Sequence, residues 1–177
     1  HGFYDKRDAF EESIRIPLLV RAPGITRPGS RVENMVLNVD LAPTILDLAG
    51  VPLPKKPKMD GSSFLPLLKG EKPDDWRKSI YYHYYEYPSV HMVPRHNGVR
   101  NFRYKIMHFY EFDEWEFYDL KEDPDELTNL YYNSEYANQI KRMKRELEKL
   151  RKQYEDDSDM REKSQEWQGK VRPMASK

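Results

Sequence analysis

The sequence contains no cysteine among its 177 residues. This excludes disulfide bonds, thiolate metal ligands and cysteine nucleophiles, and it leaves the redox compartment undetermined. No apolar run approaches the roughly 20 residues of a membrane-spanning helix, and no signal peptide is recognisable. Net charge is also missing, because 30 basic residues balance 30 acidic ones. We therefore expect neither nucleic acid nor a membrane as a partner, and anion binding requires a local site.

The first 70 residues predict three short elements. Residues 14–21 read as a buried strand that ends at Pro23-Gly24. Little in the flanking sequence can cover both faces of such a strand, which implies a partner outside the chain. Residues 40–49 predict a helix with Asp40 as N-cap, and a shorter helix over residues 63–69 ends at Gly70. The buried stripe expected for the longer helix is Leu41, Ile45, Leu48 and Ala49.

After residue 78 the hydrophobic period changes to two, which is typical of half-buried antiparallel strands. The predicted strands are Ser79–Tyr87, Val99–Tyr110 and Glu114–Leu120, with a tight turn at residues 111–113. Residues 135–154 predict a long amphipathic helix packed across this sheet. Residues 156–177 predict a polar, mobile tail. The apolar stripe of the long helix is Tyr136, Ile140, Met143, Leu147, Leu150 and Tyr154.

Four motif-like stretches follow one another along the chain. The first joins His1-Gly2-Phe3-Tyr4-Asp5-Lys6, Phe10-Glu11-Glu12-Ser13 and the run from Arg15 to Gly24. The second runs from Val39 to Gly50, and the third from Asp60 to Leu68. The fourth consists of Tyr118-Asp119-Leu120, Asp123-Pro124-Asp125-Glu126 and Asn129-Leu130. In this order they resemble the type I sulfatase family of the alkaline phosphatase superfamily.

The stretch from Tyr81 to Glu116 narrows the resemblance. It contains Tyr81-Tyr82-His83-Tyr84-Tyr85-Glu86, His96-Asn97-Gly98-Val99-Arg100 and Trp115-Glu116. This block is similar to carbohydrate sulfatases of gut-type bacteria that act on 6-O-sulfated N-acetylglucosamine or related glycosaminoglycan sugars. A sulfated carbohydrate is the partner that this implies, and a periplasmic or secreted location follows from the family.

The resemblance implies an α/β fold in which the C-terminal subdomain is α+β. Residues 1–75 would be the last part of an alkaline-phosphatase-like α/β sandwich. Residues 76–155 would form a small antiparallel sheet covered by the helix 135–154, followed by the tail over residues 156–177.

The catalytic groups of the family are only partly represented in the sequence. Family members use a formylglycine made from Cys or Ser in a C/S-x-P-x-R motif, and a calcium ion held by residues upstream of the first motif. The chain has neither cysteine nor an S-x-P-x-R match. Because it also opens at His1 without an initiator methionine, we expect a segment that lacks the N-terminal sulfatase region. Alone it should be inactive and bind no cofactor.

Lys6 matches the family's sulfate-contacting lysine, whose ammonium group stabilises negative charge on the ester oxygens. His1 matches the histidine of the same motif. His91, Arg95 and His96 are predicted to lie in a polar loop and to hydrogen-bond sugar hydroxyls or a second anionic group, and a purely solvated loop remains the alternative. We predict no metal site, since the histidine spacings do not match those of zinc sites.

Arg100, Arg103 and Lys105 are predicted to share one strand and to pair with Glu114 and Glu116. Tyr81, Tyr85 and Trp115 are predicted to pack across strands.

Two other functions stay open at this point. One keeps the superfamily and changes the substrate to a phosphate diester or a phosphonate ester. The other is a non-catalytic carbohydrate- or protein-binding module, which would be independently stable. A sulfatase segment instead predicts exposed apolar surface around residues 14–20.

Overall fold

A computed structural model describes residues 8–87 and 92–156 of the protein. The described residues belong to two compact units, one holding the residues up to Ile16 and from Ser79 onward, the other holding Pro17–Lys78. The domain boundaries expected at residues 75 and 155 stay a prediction, and the expected tail falls almost wholly outside the described residues. The α-helices in the described part are α1 (Glu11–Ile14), α2 (Leu41–Leu48), α3 (Leu65–Leu68) and α4 (Ala137–Gln153).

The first unit is built on a four-stranded antiparallel sheet whose strands lie in sequence order. The predicted strand Val99–Tyr110 is wrong in one respect, because it is two strands joined by a turn. The side chain of Asn101 closes that turn by accepting hydrogen bonds from the backbone N–H groups of Arg103 (2.9 Å) and Tyr104 (2.7 Å). The strands are β1 (Ser79–Tyr84), β2 (His96–Asn101), β3 (Tyr104–Phe109) and β4 (Glu114–Asp119).

The helix α4 covers one face of this sheet, as the spacing of its apolar residues predicts. Its N-terminus follows a 3-10 turn, Ser134–Tyr136, in which the Asn133 side chain accepts a hydrogen bond from Glu135 N (3.0 Å). Each fully buried aliphatic side chain of the stripe contributes about 1.5–3 kcal/mol. The helix residues Ile140, Met143, Leu147 and Leu150 pack with Val99, Ile106 and Phe117 of the sheet.

The opposite face of the sheet is covered by the segment before α1. Ala9 and Phe10 are buried against Met107 and Tyr118. The rings of Phe10 and Tyr118 meet edge to face, with centroids 6.1 Å apart. This segment therefore forms part of the sheet's hydrophobic core.

A buried ion-pair network fastens the same segment to the sheet. The Nζ atom of Lys105, whose residue is 1% exposed, lies 2.7 Å from Oε1 of Glu126 and 3.0 Å from Oε1 of Glu11. It also donates a hydrogen bond to the carbonyl oxygen of Ala9 (2.7 Å). Arg100, opposite Lys105 in the β2–β3 register, donates to both carboxylate oxygens of Glu11 (3.1 and 2.9 Å).

The predicted pairing of the basic residues with Glu114 and Glu116 is wrong. Arg100 and Lys105 lie on neighbouring strands and point to the same face, while Arg103 lies in the turn between them. Arg103 instead pairs with Asp119, at 3.0 Å from Nε to Oδ1 and 2.7 Å from Nη2 to Oδ2. The error follows from treating β2 and β3 as one strand, because the turn reverses the chain.

In the second unit, a fully buried aspartate organises the backbone. The carboxylate of Asp40 accepts hydrogen bonds from Leu37 N (2.7 Å) and Ser62 N (2.8 Å), and it forms a bidentate ion pair with Arg77. A Cβ atom at Gly61 would lie 1.9 Å from the carbonyl oxygen of residue 39, so only glycine allows this approach. Asp40 is the N-cap residue of α2, as predicted, but its side chain makes no cap hydrogen bond to that helix.

The prediction that the apolar stripe of α2 is buried is also wrong, because these residues face solvent in this chain. The buried residues of this helix are Pro43 and Thr44. The Thr44 hydroxyl accepts a hydrogen bond from Phe64 N (3.0 Å), which directs this side of α2 towards the α3 segment. The expected stripe residues are all exposed: Leu41, Ile45, Leu48 and Ala49.

The strand predicted over residues 14–21 is wrong as well. Ile14 ends α1, and residues 15–22 have no regular secondary structure. A strand needs a hydrogen-bonded neighbour, and no strand of the described residues pairs with this segment. Its apolar side chains are exposed, with Leu19 95% and Ile16 64% accessible. This is the exposed apolar surface that a sulfatase segment predicts. In the described part of the chain, no helix combines the length and apolarity required to cross a bilayer.

The first prediction concerns the buried ion-pair network. Lys105→Ala should lower the free energy of unfolding of the first unit by about 3–5 kcal/mol, because it leaves Glu11 and Glu126 as buried carboxylates without their shared cation. Urea unfolding followed by tryptophan fluorescence measures the change. Lys121→Ala, which removes an exposed ammonium, is the control and should stay within about 0.5 kcal/mol of the parent. Equal effects of the two changes would contradict a structural role for Lys105.

Candidate functional site

The two residues that the sequence marks for sulfate contact, Lys6 and His1, lie outside the described residues, and so does His91. The structure does describe the place where the segment that carries Lys6 and His1 joins the sheet. Asp8, Ala9 and Phe10 are 7%, 2% and 7% exposed, so the residues that follow Lys6 are held inside the first unit.

The first and fourth sequence motifs meet at this attachment. The backbone N–H of Glu11 donates to Oε2 of Glu126 (2.6 Å), across a separation of 115 positions, and both carboxylates contact Lys105. Asp123 shapes the turn before Glu126 by accepting hydrogen bonds from Leu127 N (3.1 Å) and Thr128 N (2.8 Å). Two motif glutamates therefore fix the segment that follows Lys6.

Another residue of the fourth motif extends the edge of the sheet. The Oδ1 atom of Asn129 accepts from Phe117 N (3.1 Å), and its Nδ2 atom donates to Trp115 O (3.0 Å). The side-chain amide thus takes the place of a neighbouring strand beside β4, and Leu130 N donates to Phe117 O (2.8 Å). The motif stabilises the sheet at the edge that would otherwise be open.

The pKa values of the two glutamates at this attachment are shifted in opposite directions. Burial alone would raise the pKa of Glu11, but hydrogen bonds and charge from Arg100 and Lys105 hold that pKa below its ordinary value. Burial raises the pKa of Glu126 above its ordinary value, against the influence of Lys105. Burial likewise raises the pKa of Asp8. The attachment therefore concentrates buried acidic groups around one lysine and one arginine.

Arg95, predicted to lie in a polar loop, is buried at 4% exposure. Its Nε atom donates to Tyr85 O (2.7 Å), and its Nη2 atom donates to Tyr87 O. Its Nη1 atom pairs with the buried carboxylate of Glu111 (3.1 Å). Arg95 thereby joins the backbone that follows β1 to the turn that follows β3. The solvated-loop interpretation is wrong for this residue, because its donors serve protein acceptors.

His96, predicted for the same loop, is the first residue of β2 and is fully buried. Its ring lies among those of Tyr82, Tyr84 and Phe109, at centroid distances of 5.6, 5.5 and 4.8 Å. Tyr82 and Phe109 also pack on the cluster formed by Ala9, Phe10, Met107 and Tyr118. His96 and the segment that follows Lys6 therefore lie on the same face of the sheet.

The hydrogen bonding of His96 defines its chemical state. Its Nδ1 atom lies 2.9 Å from the carbonyl oxygen of Pro94, which can only accept, so Nδ1 carries the proton. Its Nε2 atom is buried and has no hydrogen-bond partner among residues 8–87 and 92–156. Burial lowers the pKa of His96 to about 4. At neutral pH the side chain therefore presents an unused acceptor nitrogen.

A second histidine cluster was not anticipated from the sequence. Nδ1 of His83 lies 2.5 Å from Oδ2 of Asp156, and its Nε2 lies 3.0 Å from the hydroxyl of Tyr110. Tyr81 donates to the same Asp156 oxygen (2.5 Å). Burial lowers the pKa of His83, while Asp156 acts in the opposite direction. The cluster ties the end of α4 to the sheet, and only the alternation of Tyr81 and His83 along β1 signalled that they share a face.

Metal ligation was considered across the described ranges. Within residues 8–87 and 92–156, no group of three or more histidine, aspartate or glutamate side chains has the arrangement of a metal site.

The antiparallel sheet, its covering helix and the order of the motifs define the chain as part of the sulfatase class. Residues 1–153 match the family model described as N-sulphoglucosamine sulphohydrolase, C-terminal, and the chain belongs to this family. The family resemblance seen in the sequence is confirmed.

Curated relatives agree with this assignment. The chain is 47% identical over 159 residues to an N-acetylglucosamine-6-O-sulfatase of Bacteroides thetaiotaomicron, a match that covers 88% of this chain and 28% of the relative. It is 48% identical over 80 residues to the N-acetylglucosamine-6-sulfatase of Homo sapiens, covering 45% of this chain and 14% of the relative. The chain therefore spans less than a third of the length of the relatives it matches.

Solved structures show the same relationship. The structure of BT4656 in complex with its substrate D-glucosamine-2-N,6-O-disulfate matches with a TM-score of 0.85 and 46% identity, over 89% of this chain and 32% of that chain. A phosphonate monoester hydrolase of Agrobacterium radiobacter matches with a TM-score of 0.59 and 26% identity, over 69% of this chain and 26% of that chain. The α/β fold predicted from the sequence is confirmed.

The second prediction uses the buried state of His96. Because its folded-state pKa of about 4 lies below the unfolded value of 6.5, the unfolded chain binds the proton first as pH falls. The stability that neutral His96 contributes is therefore complete above pH 6.5 and is lost as pH falls towards 4. Relative to His96→Phe, the parent chain should lose about 2 kcal/mol of unfolding free energy between pH 7 and pH 5.

Urea unfolding at a series of pH values tests this expectation. Phe109→Leu, which alters a ring of the same cluster without changing a titratable group, is the control and should retain the parent's pH dependence. Parallel stability curves for the parent and His96→Phe would show that His96 is not buried in its neutral form.

Proposed function

We propose that the chain is the C-terminal portion of an enzyme that hydrolyses sulfate esters of a carbohydrate, with 6-O-sulfated N-acetylglucosamine or a related sugar as substrate. Its family and the named activities of its relatives support this proposal. The substrate in the BT4656 structure, a glucosamine sulfated at N-2 and O-6, supports the same sugar class. Since the chain spans under a third of these relatives, the hydrolysis belongs to a longer protein.

The observation that carries the proposal is the attachment of the segment that follows Lys6. Glu11, Glu126 and Lys105 join two motifs of the sulfatase pattern in one buried network. The network fastens that segment to the face of the sheet that also holds His96. Two motifs of the sulfatase pattern thus meet on one face of one sheet.

Each proposed site residue has a separate chemical task. The ammonium group of Lys6 stabilises negative charge on the sulfate oxygens, as a compact cation with three donors. His1 lines the same site. His96, whose Nε2 acceptor is unused but fully enclosed, supports the proposed sugar pocket from inside this face of the sheet. Arg95 holds the backbone at Tyr85 and Tyr87. We propose that Arg95 and His91 both contribute to the sugar pocket.

The nucleophile and metal of the family do not fit the residues of this chain. Formylglycine requires a C/S-x-P-x-R motif, which is absent from the sequence. The described residues also provide no cluster of ligands for calcium. We therefore assign both groups to the upstream region of the longer protein.

We further propose export to the periplasm or the cell exterior. One relative is named as an extracellular sulfatase SULF-1 homolog of Drosophila melanogaster. It is 49% identical over 74 residues, which cover 40% of this chain and 6% of that relative.

The upstream region is also the partner proposed for the exposed apolar surface. Leu19 and its neighbours form a continuous apolar run without a paired strand, and Ile45 of α2 is 63% exposed. Contiguous exposed apolar residues of this kind mark interaction surfaces. Pairing of residues 14–21 with upstream strands would satisfy both the backbone and the side chains of this segment.

A phosphonate ester hydrolase is the second candidate, because solved structures of that activity share the fold. Their identity to this chain, 26% and 27%, is well below the 46% found for BT4656. The sulfate ester is therefore preferred. The upstream nucleophile distinguishes the two activities by its residue type and by the ester that it cleaves.

The third prediction tests the role of Lys6 in the protein that includes the upstream region. Lys6→Ala should lower kcat/KM for a 6-O-sulfated N-acetylglucosamine substrate by about 10²–10³-fold, because it removes a cation that stabilises charge in the transition state. Lys55→Ala, a change at an exposed loop position, is the control and should leave turnover unaltered. Full activity of Lys6→Ala would remove this lysine from the site.

The fourth prediction concerns the apolar surface. Leu19→Asp should prevent association of the chain with a separately produced upstream region, because it places a charge in the expected interface. Leu127→Asp is the matched control, since Leu127 is 72% exposed but lies in the turn after Glu126. Co-purification and restored turnover are the measurements. If both variants associate equally well, residues 14–21 are not part of the interface.

A further inference from the structure

The outer side of α4 forms one wall of a groove of about 900 Å³, and the segment Tyr131–Ser134 forms the other. Ile140 belongs both to the groove lining and to the stripe of α4 that contacts the sheet, so the groove runs alongside that stripe. Five of the side chains that line the groove are basic and one, Glu148, is acidic. The basic residues are Lys141, Lys144, Arg145, Lys149 and Lys152.

The spacing of these residues places positive charge along one side of the helix. Lys141, Arg145, Lys149 and Lys152 are separated by four, four and three positions, so they lie on one face over about 16 Å of helix. Within the described ranges, Lys141, Arg145 and Lys152 have no carboxylate partner, while Lys149 contacts Glu146 at 3.3 Å. In a chain without net charge, these side chains concentrate positive charge on one local surface.

A stack of aromatic rings fixes one cation at the edge of the groove. The ring of His108 stacks on that of Trp115 (3.9 Å), which in turn stacks on that of Tyr131 (5.8 Å). The Nζ atom of Lys144 lies 3.7 Å from the centroid of Trp115 and donates to the Tyr131 hydroxyl (2.6 Å). The position of this ammonium group is therefore set by the sheet and not by solvent.

An exposed aromatic ring completes the wall opposite the helix. Tyr132 is 84% exposed and meets Tyr131 edge to face, with centroids 5.0 Å apart. An aromatic ring held beside a row of cations offers both an apolar face and charge to a ligand that has rings and anionic groups.

We propose that this groove binds a chain of sulfated sugars, with the sulfates along the cations of α4 and one sugar ring against Tyr132. The complementarity of charge favours a polyanion, and the predominance of lysine favours compact anionic groups, which an ammonium meets as a point charge. The choice of a sulfated polysaccharide rests on the proposed function, whose substrate is a sulfated carbohydrate. The groove would hold the polymer by contacts that take no part in ester cleavage.

The fifth prediction is a binding experiment that needs no turnover. The chain is immobilised at low density, and a heparin oligosaccharide or a DNA duplex of the same charge is passed over it at several salt concentrations. Lys141→Glu combined with Arg145→Glu should weaken heparin binding at least tenfold and reduce the dependence of log affinity on log salt by about two. Lys55→Glu combined with Lys72→Glu makes the same change in net charge at exposed positions of the second unit that do not line the groove, and it should retain the parent affinity.

Tyr132→Ala separates sugar recognition from attraction of any polyanion. It should weaken heparin binding several-fold and leave DNA binding unchanged. Equal losses in the α4 and control charge variants would overturn the site, and DNA binding as tight as heparin binding would overturn its sugar preference. Circular dichroism verifies that the variants are folded. Changes in the amide chemical shifts of the unaltered chain on addition of the heparin oligosaccharide give an independent test. If these changes lie outside residues 131–152, the site is overturned. If the protein that includes the upstream region binds heparin but does not hydrolyse a 6-O-sulfated N-acetylglucosamine substrate, the proposed function fails and the binding site in the groove stands.

Discussion

A buried lysine shared by one buried and one partly buried glutamate is the interaction on which the first unit depends. Lys105 projects from β3 to the same face as Met107, where a lone ammonium group would be strongly destabilising. Glu11, Glu126 and the carbonyl oxygen of Ala9 offset that cost only if their two segments meet at β3. The network thus specifies on which face of the sheet residues 8–14 lie.

Elements whose partners are near in sequence were predictable. The stripe of α4 and the strands of the sheet could be read from their periods, because each contains the apolar residues that the other buries. Residues 14–21 and α2 could not be read in this way. Their patterns show which residues are apolar but not what covers them, and Leu19 and Ile45 lie exposed in this chain. The turn at Asn101 could not be predicted for a related reason, since the hydrogen bonds of one side chain leave no periodic signal in the sequence.

The motifs of the site could be recognised in the sequence, but the contacts between their residues could not. Glu11 and Glu126 appeared in the sequence only as members of two separate motifs, and their meeting across 115 positions is a product of the fold. His96 was identified as a candidate from a loop-like context, yet it lies in a strand. The environment that makes it a neutral acceptor comes from Tyr82, Tyr84 and Phe109, which belong to two other strands.

The zero net charge of the chain conceals an uneven distribution of charge, and the buried ion pairs explain why. Carboxylates at Asp40, Glu111 and Asp119 are each committed to an arginine in or near the interior. Charges that neutralise each other there add nothing to the field outside the protein. Within residues 8–87 and 92–156, the outer face of α4 has no such compensation at Lys141, Arg145 and Lys152. A chain with equal numbers of acids and bases can therefore present a basic groove, because burial rather than composition decides which charges a ligand meets.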